Sequence, residues 1–394
     1  MLFQTLDDKR ECPAVYSDGQ FFYDQIPDGI TRSWKYTSYL KEYEVEYASL
    51  YCGGKSLGEA CPEELQPQWE MIRDKLEAFH ISFQEVGLNL NQHCFFDLVP
   101  RSFLREFCEV KNNITEYVFD SYEKPKNYDF LVSLAKVLAD IAEQPLNINR
   151  DFIENNMANM RIRKLKRKLE GPNHINYNLF GTKTGRLTTA RSSFPILTLD
   201  KNFRSILKPN QDIFVELDFN AAEMRTFLAL ADQEQPQIDI HQWIGKNIFG
   251  GVADRDKIKR SVFAWLYNPD AKNKYLDKMF NKSMVKSKFY QNNFINNPFG
   301  RKIECDDYHS LNYLIQSTTS DLLLRRMIEV DKLLKGRKSN VAFTIHDSLV
   351  LDFSSEDKDL LSQIIQTFSN TDLGWFKSNV SAGKDFGNLK VINI

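Results

Sequence analysis

Two aspartates and one helix face could do chemistry together. Asp218 stands in VELDFNAAEMR, where Val215, Leu217 and Phe219 alternate with polar residues as on a half-buried strand. Asp347 stands in TIHDSLVLDF, at the break of an apolar hairpin pattern. Asp is also ordinary turn chemistry, and an acid at a helix start is also a favourable dipole contact, so neither residue singles itself out. As a pair on neighbouring strands they would suit a hard cation. Mg²⁺ takes oxygen ligands, commonly one or two carboxylates plus substrate phosphates, and two ions can clamp the attacking and leaving oxygens of a phosphoryl transfer. In RDKIKRSVFAWLYNP, Arg255, Lys259, Phe263 and Tyr267 recur every four residues and share one helix face. Its cations suit a triphosphate and its aromatics a base and sugar. The alternative is a core-facing aromatic stripe with solvated cations, which does not explain why both kinds share a face.

The elements that would position these residues are mixed. Residues 1 to about 50 read as irregular, with turns at Ser17-Asp18-Gly19 and Pro27-Asp28-Gly29. Helical spacing follows in CPEELQPQWEMIRDKLEAF, in the shorter LVPRSFLREFCEV, after Pro125 as far as Pro145, and in DFIENNMANMRIRKLKRKLEG as far as Gly171. From about 176 the chain reads as extended segments and a turn (INYNLFGTKTGRLTT), then a strand running into a helix. The basic helix, a long helix (LNYLIQSTTSDLLLRRMIEVDKLLK), the NVAFTIHDSLVLDF hairpin, another helix and a last strand complete it. Strands and helices mixed around an antiparallel hairpin predict an α+β fold.

Composition narrows the partners. The 394 residues carry 42% hydrophobic and 26% charged residues, ordinary for a soluble globular protein. No apolar run reaches membrane-spanning length, and the N-terminus lacks a leader pattern. The reading is a cytoplasmic protein, in the host cytoplasm if viral, with no membrane partner. Cys12, Cys52, Cys61, Cys94, Cys108 and Cys305 form no CxxC pair and read as reduced, structural thiols. The net charge of −2 is split: residues 1–124 carry −10, which leaves +8 for the rest. Positive charge gathers in RIRKLKRKLEG and again between Arg255 and Lys302. Such patches attract polyanions, nucleic acid among them, though each alone could be a solvated helix face.

The order of these segments resembles the polymerase region of family A DNA polymerases, the group of bacterial DNA polymerase I and many phage replicases. TKTGRLTT resembles the family's TGR segment, DFNAAEMR its motif A, and Arg255, Lys259, Phe263 and Tyr267 its motif B. NYLIQSTTSD resembles its NxxxQGTAAD helix, TIHDSLVL its motif C, and VSAGKDFGNLK its closing strand. The resemblance covers roughly residues 150 to 394. It implies a right-hand fold with palm, fingers and thumb, and template-directed DNA synthesis from dNTPs on primer–template DNA, as in phage-type replication. By position, Asp218 and Asp347 would bind two Mg²⁺ ions (or Mn²⁺), assisted by the Phe219 carbonyl. Arg255, Lys259 and His241 would contact the triphosphate, Phe263 would stack on the nucleotide, and Tyr267 and Glu223 would pack together beneath the sugar. Gln316, Asn312 and Arg186 would contact DNA, His346 the primer end, and Arg163, Lys164 and Arg167 the duplex phosphates. The implied division is 1–124 an acidic region of unknown role, 125–200 thumb and start of palm, 201–250 palm, 251–305 fingers and 306–394 palm.

The sequence departs from the pattern at named places. Ala264 and Asn268 replace the glycines of motif B, Ser317 a glycine and Tyr308 a basic residue of the following helix. Ser348 stands where the DNA enzymes carry Glu, and HDS is the form common in the related single-subunit RNA polymerases, the nearest rival reading. Glu223, the TGR segment and the QSTTSD helix favour deoxynucleotides. Two further readings remain, a non-catalytic nucleic-acid-binding subunit and a nuclease using the same acids, and the triphosphate-type helix argues against the latter. No DxE segment marks a 3′–5′ exonuclease before the thumb-like helices. The acidic front of the chain is expected to dock a partner such as a separate exonuclease, helicase or clamp.

Overall fold

A computed structural model describes every residue except 9–12, 91–92, 170–172, 191–192, 252–253, 269 and 393–394, and omits the side chains of Arg167 and Lys168. Cys12, Gly171 and the Arg167 side chain therefore lie outside the described residues. The chain divides into two compact units, Met1–Asp140 and Ile141–Ile394.

The first unit corrects the reading of residues 1–50 as irregular. Leu2–Thr5, Ala14–Ser17, Gln20–Tyr23, Arg32–Ser33 and Glu46–Tyr47 are strands of one sheet. Leu2–Thr5 is central, antiparallel to Ala14–Ser17 on one side and parallel to Arg32–Ser33 on the other. The turn signal at Asp18-Gly19 is real, since both take positive φ between two paired strands. Helices Gln66–Glu85 and Arg101–Ser121 supply the rest of an aromatic-rich core around Phe95, Phe103 and Phe107. The segment expected as a short helix is thus the start of the longer Arg101–Ser121. Cys52, Cys61, Cys94 and Cys108 are buried and free, as expected of structural thiols. Asp7, Asp8 and Cys94 cluster within 4.8 Å; Asp8 accepts the Phe95 N–H and Cys94 donates to the Leu6 carbonyl.

The second unit is built on a five-stranded antiparallel sheet. Its central strand, Ile213–Phe219, lies between Ser348–Phe353 and Ser378–Gly383. Asn340–Ile345 and Lys390–Val391 are the edges. Val215, Leu217 and Phe219 are buried as the alternation predicts. Helix Ala222–Leu230 leaves the central strand after a bend at Ala221, which takes φ +51°. That left-handed conformation is uncommon for a residue with a Cβ. The long helix Asp307–Leu334 buries Leu322, Met327 and Val330 among the core. The segment read as one helix to Gly171 is two, Arg150–Asn155 and Met160–Lys168, because Asn156 ends the first and Asn159 caps the second.

Candidate active site

Sheet register brings the two aspartates together. Asp218 pairs with Ser348, the residue directly after Asp347, and on its other side with Asn379. Strands Asn340–Ile345 and Ser348–Phe353 are joined by His346 and Asp347 alone. His346 takes φ +52° to make that turn. Two bonds fix the hairpin: Thr344 Oγ1 donates to the Ser348 carbonyl at 2.8 Å, and the Thr344 N–H donates to the Tyr177 hydroxyl at 3.1 Å. The Tyr177 hydroxyl in turn donates to the Thr344 carbonyl. Asp347 is thereby held on short, braced backbone.

The carboxylates make the corner electrostatically costly. Burial, then the charges of Glu216 and Asp347, push Asp218 up to about 7, against a hydrogen bond from Asn379 and the charge of Lys259. Burial and Asp347 push Glu223 up to about 7 despite Arg186. Burial also raises Asp347, while Arg186 and His346 pull it back. Like charges confined together favour protonation, or a cation. Among the described residues no Lys or Arg forms an ion pair with Asp218 or Asp347.

Helix Arg255–Tyr267 faces this corner. A cavity of about 230 Å³ is lined by Asp218, Phe219, His241, Arg255, Lys259 and Asp347. A second, of about 340 Å³, runs past Arg186, Glu223, Phe263, His346 and Asp347. Phe263 stacks on Tyr267 at 5.8 Å between ring centres, and Lys259 sits 6.0 Å over the Phe263 ring. The four-residue spacing therefore gives the common face that was expected. Arg255 donates to Asp239 Oδ2 at 2.7 Å. Burial works against the Asp239 charge, but Arg255, Asn220 and the Gln242 N–H outweigh it and hold its carboxyl well below the usual range. Asp239 caps the helix carrying His241. His241 is buried, and burial, followed by the charges of Arg255 and Lys259, lowers its pKa although Asp239 opposes them.

A buried scaffold sets these groups in place. Arg225, fully buried, donates to the carbonyls of Asn220, Pro236 and Ile238. It ties the end of the Asp218 strand to the loop that leads to Asp239. Asp321 is buried against Arg301, which binds it through Nη2 at 2.6 Å and through Nε. The same guanidinium lies 2.5 Å from where a Cβ on Gly185 would stand, and Gly185 takes φ +76°. Only glycine suits that position. Ser320 Oγ donates to the Gly185 carbonyl, so the long helix fixes the loop that delivers Arg186.

Several predicted side chains have other partners. Arg186 forms an ion pair with Glu223, whereas the buried Tyr267 hydroxyl has no hydrogen-bond partner among the described residues. The polar partner of Glu223 is thus Arg186, in a charge-assisted contact. Asn312 donates to the Tyr267 carbonyl at 3.0 Å, satisfying the end of the basic helix instead of pointing free. Arg163 donates to the carbonyls of Met157 and Ala158, and Lys164 is exposed. Phe219 packs its ring on Phe368, 4.2 Å between centres. Gln316 is half-buried and His346 exposed. Sequence reasoning missed Glu216, Asn220, Asp239 and Tyr177. Of these, only Asp239, an acid at the start of the HQWIGKN helix, carried a local signal, that of an N-cap.

No family model and no curated protein matches the sequence. Solved structures do match. Among them is the POL domain of Pol1 from M. smegmatis in complex with DNA primer-template and dNTP, at a TM-score of 0.57 and 12% identity. That match covers 73% of this chain and 76% of that one. The chain therefore has a polymerase-like fold. No helix among the described residues is long and apolar enough to cross a membrane.

Proposed function

We propose that the chain is a template-directed DNA polymerase that adds dNTPs to a primer 3′-hydroxyl. One observation carries this reading: register sets Asp218 beside Ser348, and so beside Asp347, at a cavity that Arg255, Lys259 and Phe263 also line. A non-catalytic relative would have no need of that assembly, and a nuclease no need of the triphosphate-type helix. The solved relative was bound to primer-template and dNTP, which agrees with the same partners here. It is bacterial, so a phage setting rests on sequence resemblance alone.

The donor set fits a hard divalent cation, Mg²⁺ or Mn²⁺. Asp218 and Asp347 offer carboxylate oxygens, are raised in pKa, and have no ion-pair partner among the described residues. The Phe219 carbonyl is the third candidate donor. Two bound ions would supply activation of the 3′-hydroxyl and neutralisation of the leaving phosphates. The chain's own groups do the positioning. Arg255 and Lys259 would hold the triphosphate with His241, and Phe263 would stack on the incoming base. Glu223, kept in place by Arg186, would fill the space beneath the sugar and favour a deoxyribose. Arg186, His346, Gln316 and Asn312 would meet the primer–template. Arg163, Lys164 and Arg167 would meet duplex phosphates, where attraction is sequence-independent. In-line attack on the α-phosphate then rests on positioning and charge neutralisation.

Primer extension with Mg²⁺, comparing dNTPs with rNTPs, tests the reading. Extension with dNTPs that is abolished by Asp347→Ala supports it. Tight primer–template binding without incorporation would refute it, and preferential use of rNTPs would replace it with the RNA-polymerase reading that Ser348 suggests.

A further inference from the structure

Asp239 reaches both halves of the site, yet no step of the proposed reaction uses it. It lines neither of the two cavities, and its side chain is only 16% exposed. Its two oxygens divide the work. Oδ1 accepts the His241 and Gln242 N–H groups at 2.9 and 3.0 Å, which caps helix Ile240–Asn247. Oδ2 accepts Arg255 Nη2 at 2.7 Å and Asn220 Nδ2 at 2.9 Å. A cap needs only the first oxygen. The second joins the basic helix to the end of the Asp218 strand, because Asn220 directly follows Phe219. Asn220 is itself fixed. It is buried, its Oδ1 accepts the Ile240 N–H at 3.0 Å, and its carbonyl accepts Arg225 Nε at 2.8 Å.

The bond to Oδ2 decides what Arg255 presents. Arg255 is half-exposed and lines the cavity that Asp218, Lys259 and Asp347 also line. A guanidinium has five N–H donors, and Asp239 takes one of them. Asp256 stands 3.9 Å from Nη1, beyond hydrogen-bond distance. The remaining donors sit on a planar fork whose direction a largely buried anion sets, a geometry suited to phosphate oxygens. Freed from Asp239, the long side chain samples many rotamers, and a phosphate then has to order it. Removing the acid also leaves Arg255 with more net charge to offer, but solvent screens that gain at a half-exposed cation. We propose that Asp239 is a positioning residue of the triphosphate site: it aims Arg255 and, through Asn220, keeps the basic helix in register with the strand that carries Asp218. The ligand class, a nucleoside triphosphate, rests on the polymerase reading; the aiming of Arg255 at a polyphosphate does not.

Asp239→Asn tests this because an amide keeps one oxygen. With that oxygen on the His241 and Gln242 N–H groups the cap survives, Asn being as good a cap as Asp. The amide NH₂ then faces Arg255 and Asn220, which are donors too. The probes are inorganic tripolyphosphate, followed by calorimetry on the DNA-free protein, and the dNTP dependence of primer extension. Asp239→Asn should weaken tripolyphosphate binding about tenfold, the scale of one hydrogen bond to a charged group. It should raise the half-saturating dNTP concentration by a similar factor while kcat changes by less than about threefold. In an Arg255→Ala background the same substitution should move the half-saturating dNTP by less than about twofold, because Asp239 acts through Arg255. Asp239→Ser also caps the helix but is too short to hold Arg255, and should reproduce the loss if the Asn variant folds poorly. No binding of tripolyphosphate by wild type, or unchanged or tighter binding in a folded variant, overturns the proposal. So does an equal loss in the two backgrounds, or the failure of both variants to fold, since either marks a structural role. The two readings fail separately. A wild type that extends no primer, but whose tripolyphosphate binding drops in Asp239→Asn, refutes the polymerase reading alone. A wild type that extends primers with the same dNTP dependence as Asp239→Asn refutes this inference alone.

Discussion

Crowding acids into one corner costs stability, and a single substitution should release that cost. Asp218 titrates near 7 in the fold against 3.8 as its ordinary value, first because it is buried and second because Glu216 is close. Between those two values the folded protein holds a proton that the unfolded chain has lost. Stability therefore falls as pH rises through that window, and is flat above about 7. Each pH unit corresponds to about 1.4 kcal/mol, which bounds the fall at ~4 kcal/mol over a window of roughly three units. Partial exposure of the carboxyl screens its charge and brings the expectation to ~2 kcal/mol. Asp218→Asn keeps the shape and removes the ionisation. In urea titrations with chelator present, variant and wild type should agree within ~0.5 kcal/mol at pH 4, and the variant should be the more stable by ~2 kcal/mol at pH 8. Asp347 and Glu223 titrate in both proteins and largely cancel in the difference. Millimolar Mg²⁺ at pH 8 should then raise the wild-type midpoint and leave the variant unchanged, because only a ligand that binds the native state stabilises it. Parallel curves for the two proteins from pH 4 to 8 would refute the electrostatic account of the corner.

Three further outcomes follow from the scaffold and the basic helix. Tyr177→Phe removes the partner of both the Thr344 carbonyl and N–H; it should cost about 1–3 kcal/mol in urea denaturation and lower the primer-extension rate, since the Asp347 turn loses its brace. Asp321→Ala leaves the Arg301 guanidinium without its buried acid; a loss of about 3–5 kcal/mol is expected, read as a lowered thermal midpoint. Phe263→Tyr places a hydroxyl on a ring of the basic helix that lines the cavity beside Asp218 and Asp347. If Phe263 excludes dideoxynucleotides as its place in motif B implies, the variant should incorporate them far better in chain-termination assays while thermal stability stays within ~0.5 kcal/mol, the usual range for surface changes.

What could be read from the sequence was what repeats over short distances. The face shared by Arg255, Lys259, Phe263 and Tyr267 follows from helical geometry alone, and the Phe263–Tyr267 stack realises it. The strand carrying Asp218 is visible because seven residues suffice to show alternation. Residues 1–50 hid their sheet because its strands are two to four residues long, too short for a period to emerge, and are held by pairings far apart in sequence. The partner of Asn312 was hidden for a related reason: spacing tells which face a side chain is on, but not that its amide donates to a particular carbonyl such as that of Tyr267.

The most informative residue, Ser348, shows why register is the step that sequence cannot supply. As a letter it marks only a departure from the DNA-polymerase pattern, and suggests a change of sugar. Glu216 as a letter is one polar position on an alternating strand. Set side by side by antiparallel pairing, with the hydroxyl 3.0 Å from the carboxylate, the two anomalies become one arrangement. Moving the central strand by a single residue would turn Glu216 and Asp218 into the core and Leu217 out to the cleft. The burial of Val215, Leu217 and Phe219 resists that slip. The apolar side of the strand therefore does more than stabilise the sheet: it keeps Glu216 and Asp218 on the side where Ser348 and Asp347 can meet them.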